Sequence, residues 1–184
     1  MANRLIIFEG QQCVGKTTLC SMLKDKFGID PYYSLFPAYD NDFAKKWDSP
    51  IDSLKEHMVI AGMHAYHGIN LSLERGMASW CYYNLCGNGE IEKAKDVMKK
   101  WSDSLVSWDL CKIFLLETSD SNINKNFEIK KNTTGDDDPI RLDEGSMIRF
   151  YLSFVDQRLV ERIFVKRYPL DEESMAKIEG FVQL

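Results

Sequence analysis

The feature that most constrains this chain is a glycine-rich turn close to its start. Residues 4–8 form a short apolar run, Gly10 to Thr17 follow with the spacing G-x-x-x-x-G-K-[ST], and residues 17–27 carry apolar side chains at helical spacing. A buried strand, a glycine-rich loop and a helix in that order let backbone N–H groups surround phosphate at the N-terminus of the helix. The chain is therefore predicted to bind a nucleoside triphosphate.

Within this loop two side chains have expected tasks. Lys16 should reach the β- and γ-phosphates of ATP, and the hydroxyl of Thr17 should bind Mg²⁺. The backbone of the loop should hold the remaining phosphate oxygens. The pattern thus predicts ATP and Mg²⁺ as cofactors, held by Gly10, Gln11, Gln12, Cys13, Val14, Gly15, Lys16 and Thr17.

The rest of the chain alternates apolar runs with helical patterns. Further strands are predicted at 32–36, 69–73, 113–116 and 163–165, and further helices at 52–66, 77–85, 90–107, 142–160 and 172–182. This alternation predicts an α/β fold of three layers, a parallel five-stranded sheet with helices on both faces. With 184 residues and neither a repeat nor a linker, we expect one domain over 1–184.

One long segment has no apolar period. Residues 120–141 are rich in Asn, Asp, Lys and Thr. A polar stretch of this length in a compact domain is usually functional or mobile. We therefore predict that it forms a mobile lid over about 120–141.

The bulk composition excludes several classes of protein. A net charge of -5 argues against a nucleic-acid partner, so an anionic ligand must be held by local positive groups. The five cysteines show no C-x-x-C spacing, which favours buried thiols in a reducing compartment over zinc or disulfides. No apolar run is long enough to span a bilayer and no signal peptide is evident, so we expect a cytoplasmic protein without a membrane partner.

A second group of charged residues directly follows the predicted third strand. In an open parallel sheet, ligands bind beyond the carboxyl ends of the strands, so Glu74 and Arg75 should lie at the same edge as the phosphate loop. The Glu74 carboxylate would hold Mg²⁺ through water, and the Arg75 guanidinium would bind phosphoryl oxygens with two donors. An adjacent Glu-Arg pair alone is usually a surface feature. Its position after a strand, beside a phosphate loop, favours a catalytic role.

These segments together resemble the thymidylate kinases over the whole length of the chain. The resemblance implies transfer of the γ-phosphoryl group of ATP to a nucleoside monophosphate, with thymidylate favoured as acceptor, and it implies a homodimer. It adds Thr18 to the ATP-binding residues. The segments that carry it are Phe8–Gly10 with Gly15–Thr18, Phe36-Pro37, Glu74-Arg75 with Ser79 and Tyr83-Asn84, and Trp108–Leu110. The acceptor-binding residues that it implies are Phe36, His64, Ser79, Tyr83 and Asn84.

Two other functions remain open. Deoxynucleoside kinases share a Glu-Arg-Ser form of the second motif but place a Glu-Pro where this chain has Phe36-Pro37. A hydroxyl acceptor needs a positioned base and an anionic phosphate acceptor does not, so the absent carboxylate favours a nucleotide kinase. The other alternative is a nucleotide-binding regulator or GTPase-like switch, although Asn124–Phe127 lacks the Asp that guanine recognition requires.

The departures from the thymidylate kinases concern the acceptor. The chain has Gln12 where the family has an acid in the phosphate loop, Ile60 and His64 where the family stacks and reads the base, and Asn84 where the family has Gln. The region between the helix that carries His64 and Glu74 is also shortened, which hints at a divergent, viral member. The identity of the acceptor base therefore stays open.

The phosphate loop lacks the arginine that some thymidylate kinases carry there. Phosphoryl transfer depends on cations that stabilise charge on the transferred group, so the lid must supply one. Arg141 is the arginine of this segment, and its rigid fork suits a phosphoryl group better than an ammonium does. Its competitors are the lid lysines Lys125, Lys130 and Lys131.

Overall fold

The computed structural model describes residues 4–32, 70–85, 90–105, 110–134, 143–166 and 170–183. Within these ranges five strands and six helices alternate along the chain. In chain order they are β1 (Arg4–Gly10), α1 (Lys16–Phe27), β2 (Asp30–Tyr32), β3 (Leu71–Leu73), α2 (Met77–Leu85), α3 (Ile91–Leu105), β4 (Leu110–Glu117), α4 (Asp120–Thr134), α5 (Glu144–Leu152), β5 (Val160–Phe164) and α6 (Glu172–Gln183).

The strands form one parallel sheet in the order β2-β3-β1-β4-β5. β1 lies at its centre, with Ile7 opposite Leu73 of β3 and Gly10 opposite Leu116 of β4. Because all strands run the same way, the phosphate loop after β1 and the Glu-Arg pair after β3 leave the sheet at one edge.

Side chains alternate between the two faces of β1, and each face is buried under helices. Leu5 and Ile7 belong to a core with α2, α3 and α5, whereas Ile6 and Phe8 belong to a core with α1 and α6. The predicted α/β fold, a parallel five-stranded sheet with helices on both faces, is confirmed.

Residues 120–134 of the predicted lid form the helix α4, although the sequence shows no apolar period there. This helix buries Ile123 completely and exposes most of its remaining side chains. A helix with so narrow an apolar contact has no stripe for periodicity to detect. Residues 135–140 lie outside the described ranges.

The predicted helix over 142–160 is too long, since α5 ends at Leu152. The side-chain amide of Gln157 donates to the carbonyl oxygen of Leu152, the last residue of the helix, at 2.9 Å and to that of Val155 in the following turns at 2.7 Å. The apolar residues beyond it, including Leu159 and Val160, pack against the α2–α3–α5 core from turns and from β5. The spacing of these residues matches a helical period, although the helix has already ended at Leu152.

Smaller differences concern the ends of strands. β2 covers Asp30–Tyr32 and β5 covers Val160–Phe164, so both begin before the predicted positions. The predicted helix at 52–66 and residues 33–36 of the predicted second strand lie outside the described residues. No helix in the described part of the chain is long and apolar enough to cross a bilayer.

Candidate functional site

The phosphate loop bends at three residues with positive φ: Gly10 at 141°, Cys13 at 61° and Gly15 at 94°. A Cβ atom on Gly10 would lie 2.3 Å from the carbonyl oxygen of Leu116 on β4, so this position requires glycine. The left-handed conformation of Cys13 costs about 1 kcal/mol. The side-chain amide of Asn126 on α4 donates to the carbonyl oxygen of Cys13 at 3.0 Å and so holds this turn.

Lys16 at the start of α1 is buried, with 4% of its surface exposed. Its ammonium donates to the carbonyl oxygens of Gly10 at 2.8 Å and Gln11 at 2.7 Å, inside the loop. Burial lowers the pKa of Lys16 to about 7, and the charge of Arg75 acts in the same direction. The carboxylates that oppose this shift belong to Glu144, Glu74 and Glu9.

Arg75 lies two residues beyond Leu73, at the edge where β1 gives way to the phosphate loop. Its Nη1 donates to Oε1 of Glu144 at 2.9 Å, and its guanidinium lies 5.2 Å from the ring centroid of Tyr83. Only 18% of the Arg75 side chain is exposed. The carboxylate and the aromatic ring thus hold the guanidinium in one place beside the phosphate loop.

Glu144, the first residue of α5, is completely buried. Its carboxylate accepts a hydrogen bond from the backbone N–H of Gln12 at 2.7 Å and another from the hydroxyl of Tyr83 at 2.5 Å. Burial by itself raises the pKa of the Glu144 carboxyl, but Arg75 and Lys16, with these two hydrogen bonds, hold it below its ordinary value. Glu144 therefore stays ionised and joins the phosphate loop, α2 and α5.

Ser79 and Glu9 form a second buried contact at the start of α2, and both are fully buried. The Ser79 hydroxyl donates to Oε2 of Glu9 at 2.5 Å and accepts from Nη1 of Arg75 at 3.3 Å. The structure thus brings together Arg75, Ser79 and Tyr83, which the resemblance placed in one motif. Their roles toward a substrate stay predictions.

The residues predicted to hold Mg²⁺ present hard oxygen donors at this edge. Thr17 is exposed at the first turn of α1, and Glu74 is half-buried and close enough to affect the Lys16 ammonium. In the described ranges no three His, Cys, Asp or Glu side chains are grouped as a protein-only metal site. In proteins, most ligands of Mg²⁺ are water molecules and phosphate oxygens, and the protein supplies only one or two. One hydroxyl and one carboxylate therefore suit this ion.

Some predicted site residues belong to the part of the chain that the structure does not describe. Phe36, His64 and Arg141 lie outside the described residues, as does the side chain of Asn84 on α2. Among the lid lysines, Lys125 and Lys131 are exposed on α4 and Lys130 is half-buried.

The sequence predicted no role for Glu144, and Glu9 stood only within the segment Phe8–Gly10 that resembles the thymidylate kinases. An acidic residue at the start of a helix is common, because it faces the positive end of the helix dipole, so Glu144 gave no distinctive signal. Glu9 did give one: a carboxylate that continues the apolar run of β1 must be buried and needs several donors.

Comparison with known proteins supports the fold and leaves the acceptor open. No family model matches the sequence, and no curated protein matches it. Among solved structures, the YorR protein of Bacillus subtilis in complex with phosphorylated GDP is similar with a TM-score of 0.62 and 19% identity, over 98% of this chain and 96% of that one.

Two further similar structures are kinases with different names. Thymidylate kinase from Candida albicans aligns with a TM-score of 0.61 and 12% identity, over 98% of this chain and 94% of that one. A gluconokinase from Sinorhizobium meliloti aligns with a TM-score of 0.52 and 13% identity, over 99% and 93% of the two chains. The chain has the fold of the P-loop kinases, thymidylate kinases among them.

Proposed function

We propose that this protein transfers the γ-phosphoryl group of ATP to a nucleoside monophosphate, with a thymidylate-like acceptor favoured, to give the diphosphate. The observation that carries the proposal is the placement of Arg75 beside the phosphate loop, held there by Glu144 while the same carboxylate accepts from the backbone of Gln12. The loop and its lysine serve the donor, and the guanidinium serves an anion on the acceptor side.

The division of charge at the site suits transfer between two phosphates. Catalysis of phosphoryl transfer consists mainly of holding donor and acceptor in line and stabilising charge on the transferred group. Lys16 and Arg75 are two cations at one edge of the sheet, each with little exposed surface. In a site of low dielectric constant, fixed cations stabilise developing charge more than they do in water.

The ion and the donor nucleotide fit the residues that are present. Thr17 and Glu74 would hold Mg²⁺. The bound ion would neutralise part of the negative charge of the phosphates. Lys16 binds the phosphates of ATP, and the N–H groups of the loop orient them.

A monophosphate acceptor also fits the acidic groups at the site. Glu144 is held ionised by Arg75 and Lys16, with its pKa below the ordinary value, which makes it a weak proton acceptor. An anionic acceptor phosphate needs no base, whereas a sugar hydroxyl does. The names of the similar structures include thymidylate kinase and gluconokinase, so the acceptor must be identified by assay.

The test is release of ADP from ATP·Mg²⁺ with each common nucleoside and nucleoside monophosphate in turn. We expect turnover with one or a few monophosphates and none with nucleosides. Lys16→Ala protein, purified in the same way, controls for a contaminating kinase. Turnover with nucleosides alone would favour a deoxynucleoside kinase, and silence across the panel despite ATP binding would favour a nucleotide-binding regulator.

A further inference from the structure

Glu9 is a carboxylate in the middle of the core, and the phosphate loop starts at the next residue. It is the last side chain of β1 on the face that Leu5 and Ile7 cover with apolar groups, and none of its surface is exposed. A buried carboxylate is costly unless several donors satisfy it. The donors here all come from one short segment of another element.

That segment is the start of α2. Oε1 of Glu9 accepts from the backbone N–H groups of Gly76 at 2.9 Å, Ala78 at 3.1 Å and Ser79 at 3.2 Å. Oε2 accepts from the hydroxyl of Ser79 at 2.5 Å. The first N–H groups of a helix have no partner within the helix, and its N-terminus carries partial positive charge. Glu9 thus caps α2 from a separate strand.

Gly76 shows how closely β1 and α2 approach at this point. A Cβ atom at Gly76 would lie 2.8 Å from Oε1 of Glu9, 2.9 Å from the Trp101 ring and 3.0 Å from Ile7. No side chain fits there without moving one of these neighbours. The backbone at Gly76 is therefore pressed against β1, and Arg75 is the residue that precedes it.

We propose that Glu9 is a positioning residue for phosphoryl transfer, which fixes Arg75 beside the phosphate loop by holding the first turn of α2. This inference rests on the proposed function of Arg75. Glu9 directly precedes Gly10, whose carbonyl oxygen accepts from Lys16 at 2.8 Å. The two cations of the site, Lys16 and Arg75, are thereby both positioned by the last two residues of β1.

The two acceptor oxygens and the length of the Glu9 side chain both matter to this role. A glutamine amide has one acceptor oxygen where the carboxylate has two. Its N–H₂ group would face the N–H and hydroxyl donors at the start of α2, so at least one buried donor would lose its acceptor. Glu9→Gln should release the first turn of α2 and, with it, Arg75. Glu9→Asp keeps the charge but withdraws it by one methylene, so it serves as a milder variant if Glu9→Gln does not fold.

The test is a double-mutant cycle on kcat with wild type, Glu9→Gln, Arg75→Ala and the double variant. We expect Glu9→Gln to lower kcat about 100-fold, with KM for ATP changed by less than about threefold because the phosphate loop is intact. In the Arg75→Ala background, Glu9→Gln should produce no further loss. An equal loss in both backgrounds would overturn the proposal, because Glu9 would then act independently of Arg75.

Ser102→Ala is the matched control for a structural effect. The Ser102 hydroxyl is buried on α3 and accepts from the backbone N–H of Asp156 at 2.9 Å. Its loss removes a buried hydrogen bond at a residue that makes no contact with Arg75. We expect a loss of stability with kcat within about twofold of wild type. A fall in kcat comparable with that of Glu9→Gln would mean that destabilisation alone explains both variants, against the proposal.

A crystal structure of Glu9→Gln without nucleotide separates this inference from the proposed function. We expect the contact between Nη1 of Arg75 and Oε1 of Glu144, 2.9 Å in the native chain, to be lost. An unchanged contact would show that Glu9 does not position Arg75, whatever the kinetics. If no acceptor is turned over by the native protein, the proposed function fails, while this comparison still decides whether Glu9 sets the place of Arg75.

Discussion

Glu144 beside the phosphate loop and Glu117 at the end of β4 are two carboxylates that each hold arginine, in different surroundings. Glu144 is completely buried and its partner Arg75 is 18% exposed. Glu117 accepts from the Nε of Arg149 at 2.7 Å and from the Nε of Arg162 at 2.8 Å, but the two arginine side chains are 55% and 62% exposed. The two carboxylates accept a similar number of hydrogen bonds, but their arginine partners differ in exposure to solvent.

That difference separates a site from a surface feature. An exposed ion pair gains little, because water competes for both partners and salt screens them. A buried pair keeps its geometry, since breaking it leaves a charge without solvent. Glu144 also accepts from the backbone of the phosphate loop, whereas the bonds that Glu117 accepts come from arginine side chains of α5 and β5. We therefore expect the two carboxylates to differ in function as well as in stability.

Removing the guanidinium from the buried pair should have the largest effect. Arg75→Ala should lower kcat about 1,000-fold, because the acceptor phosphate loses the fixed cation that holds it in line for transfer. Steady-state ADP release measures this, and circular dichroism checks that the protein is folded. Retained turnover in a folded Arg75→Ala protein would remove Arg75 from the mechanism.

Removing the charge of Glu144, which holds Arg75, should have the second largest effect. Glu144→Gln should lower kcat about 100-fold through misplacement of Arg75 and should lower the free energy of unfolding by about 3 kcal/mol. Urea unfolding and ADP release measure the two quantities on one preparation. Native activity in Glu144→Gln would show that the buried pair is structural alone.

The carboxylate next to Arg75 should act through the metal. Glu74→Gln should raise the Mg²⁺ concentration for half-maximal activity about tenfold, as loss of an outer ligand does at other metal sites. A Mg²⁺ titration of ADP release at saturating ATP measures this shift. If Glu74→Gln has the same Mg²⁺ dependence as the native protein, Glu74 does not act through the metal, and we would group it with Glu117 as a carboxylate without a catalytic role.

The buried lysine predicts a pH dependence of nucleotide binding. Burial lowers the pKa of Lys16 to about 7, so the ammonium that binds phosphate is present below this pH and is lost above it. The Kd for ATP should therefore rise about fivefold between pH 7 and pH 8, measured by calorimetry. Lys16→Arg keeps its charge over this range and should show no such rise. An equal rise in both proteins would assign the effect to another group.

The ion pairs of Glu117, whose side chain is 15% exposed but whose arginine partners are mostly exposed, should give the smallest effect. Glu117→Gln should change the free energy of unfolding by less than about 1 kcal/mol and leave kcat within about twofold of native. The same urea and ADP-release measurements used for Glu144→Gln provide the comparison. A loss in kcat as large as that of Glu144→Gln would mean that exposure does not separate the two carboxylates.

The sequence by itself determined the phosphate loop, the parallel sheet and the edge at which Glu74 and Arg75 lie. These follow from local signals: glycine spacing, apolar runs and the chirality that places the ends of parallel strands together. The sequence missed α4, where Ile123 is the fully buried residue, and it placed the end of α5 too late, since the helix ends at Leu152 and Gln157 bonds to the turns after it. Both depend on contacts that no local period records.

Only the tertiary structure decided which residues meet at the site. Glu144 lies 69 residues from Arg75 and 132 from Gln12 along the chain, and it contacts both. Glu9 reaches Gly76 over 67 residues. A carboxylate at a helix start or a strand end looks the same in sequence whether solvent or a guanidinium faces it. The packing of α2 and α5 on β1 makes that choice, because it removes water and leaves each charge with the partners that the fold supplies.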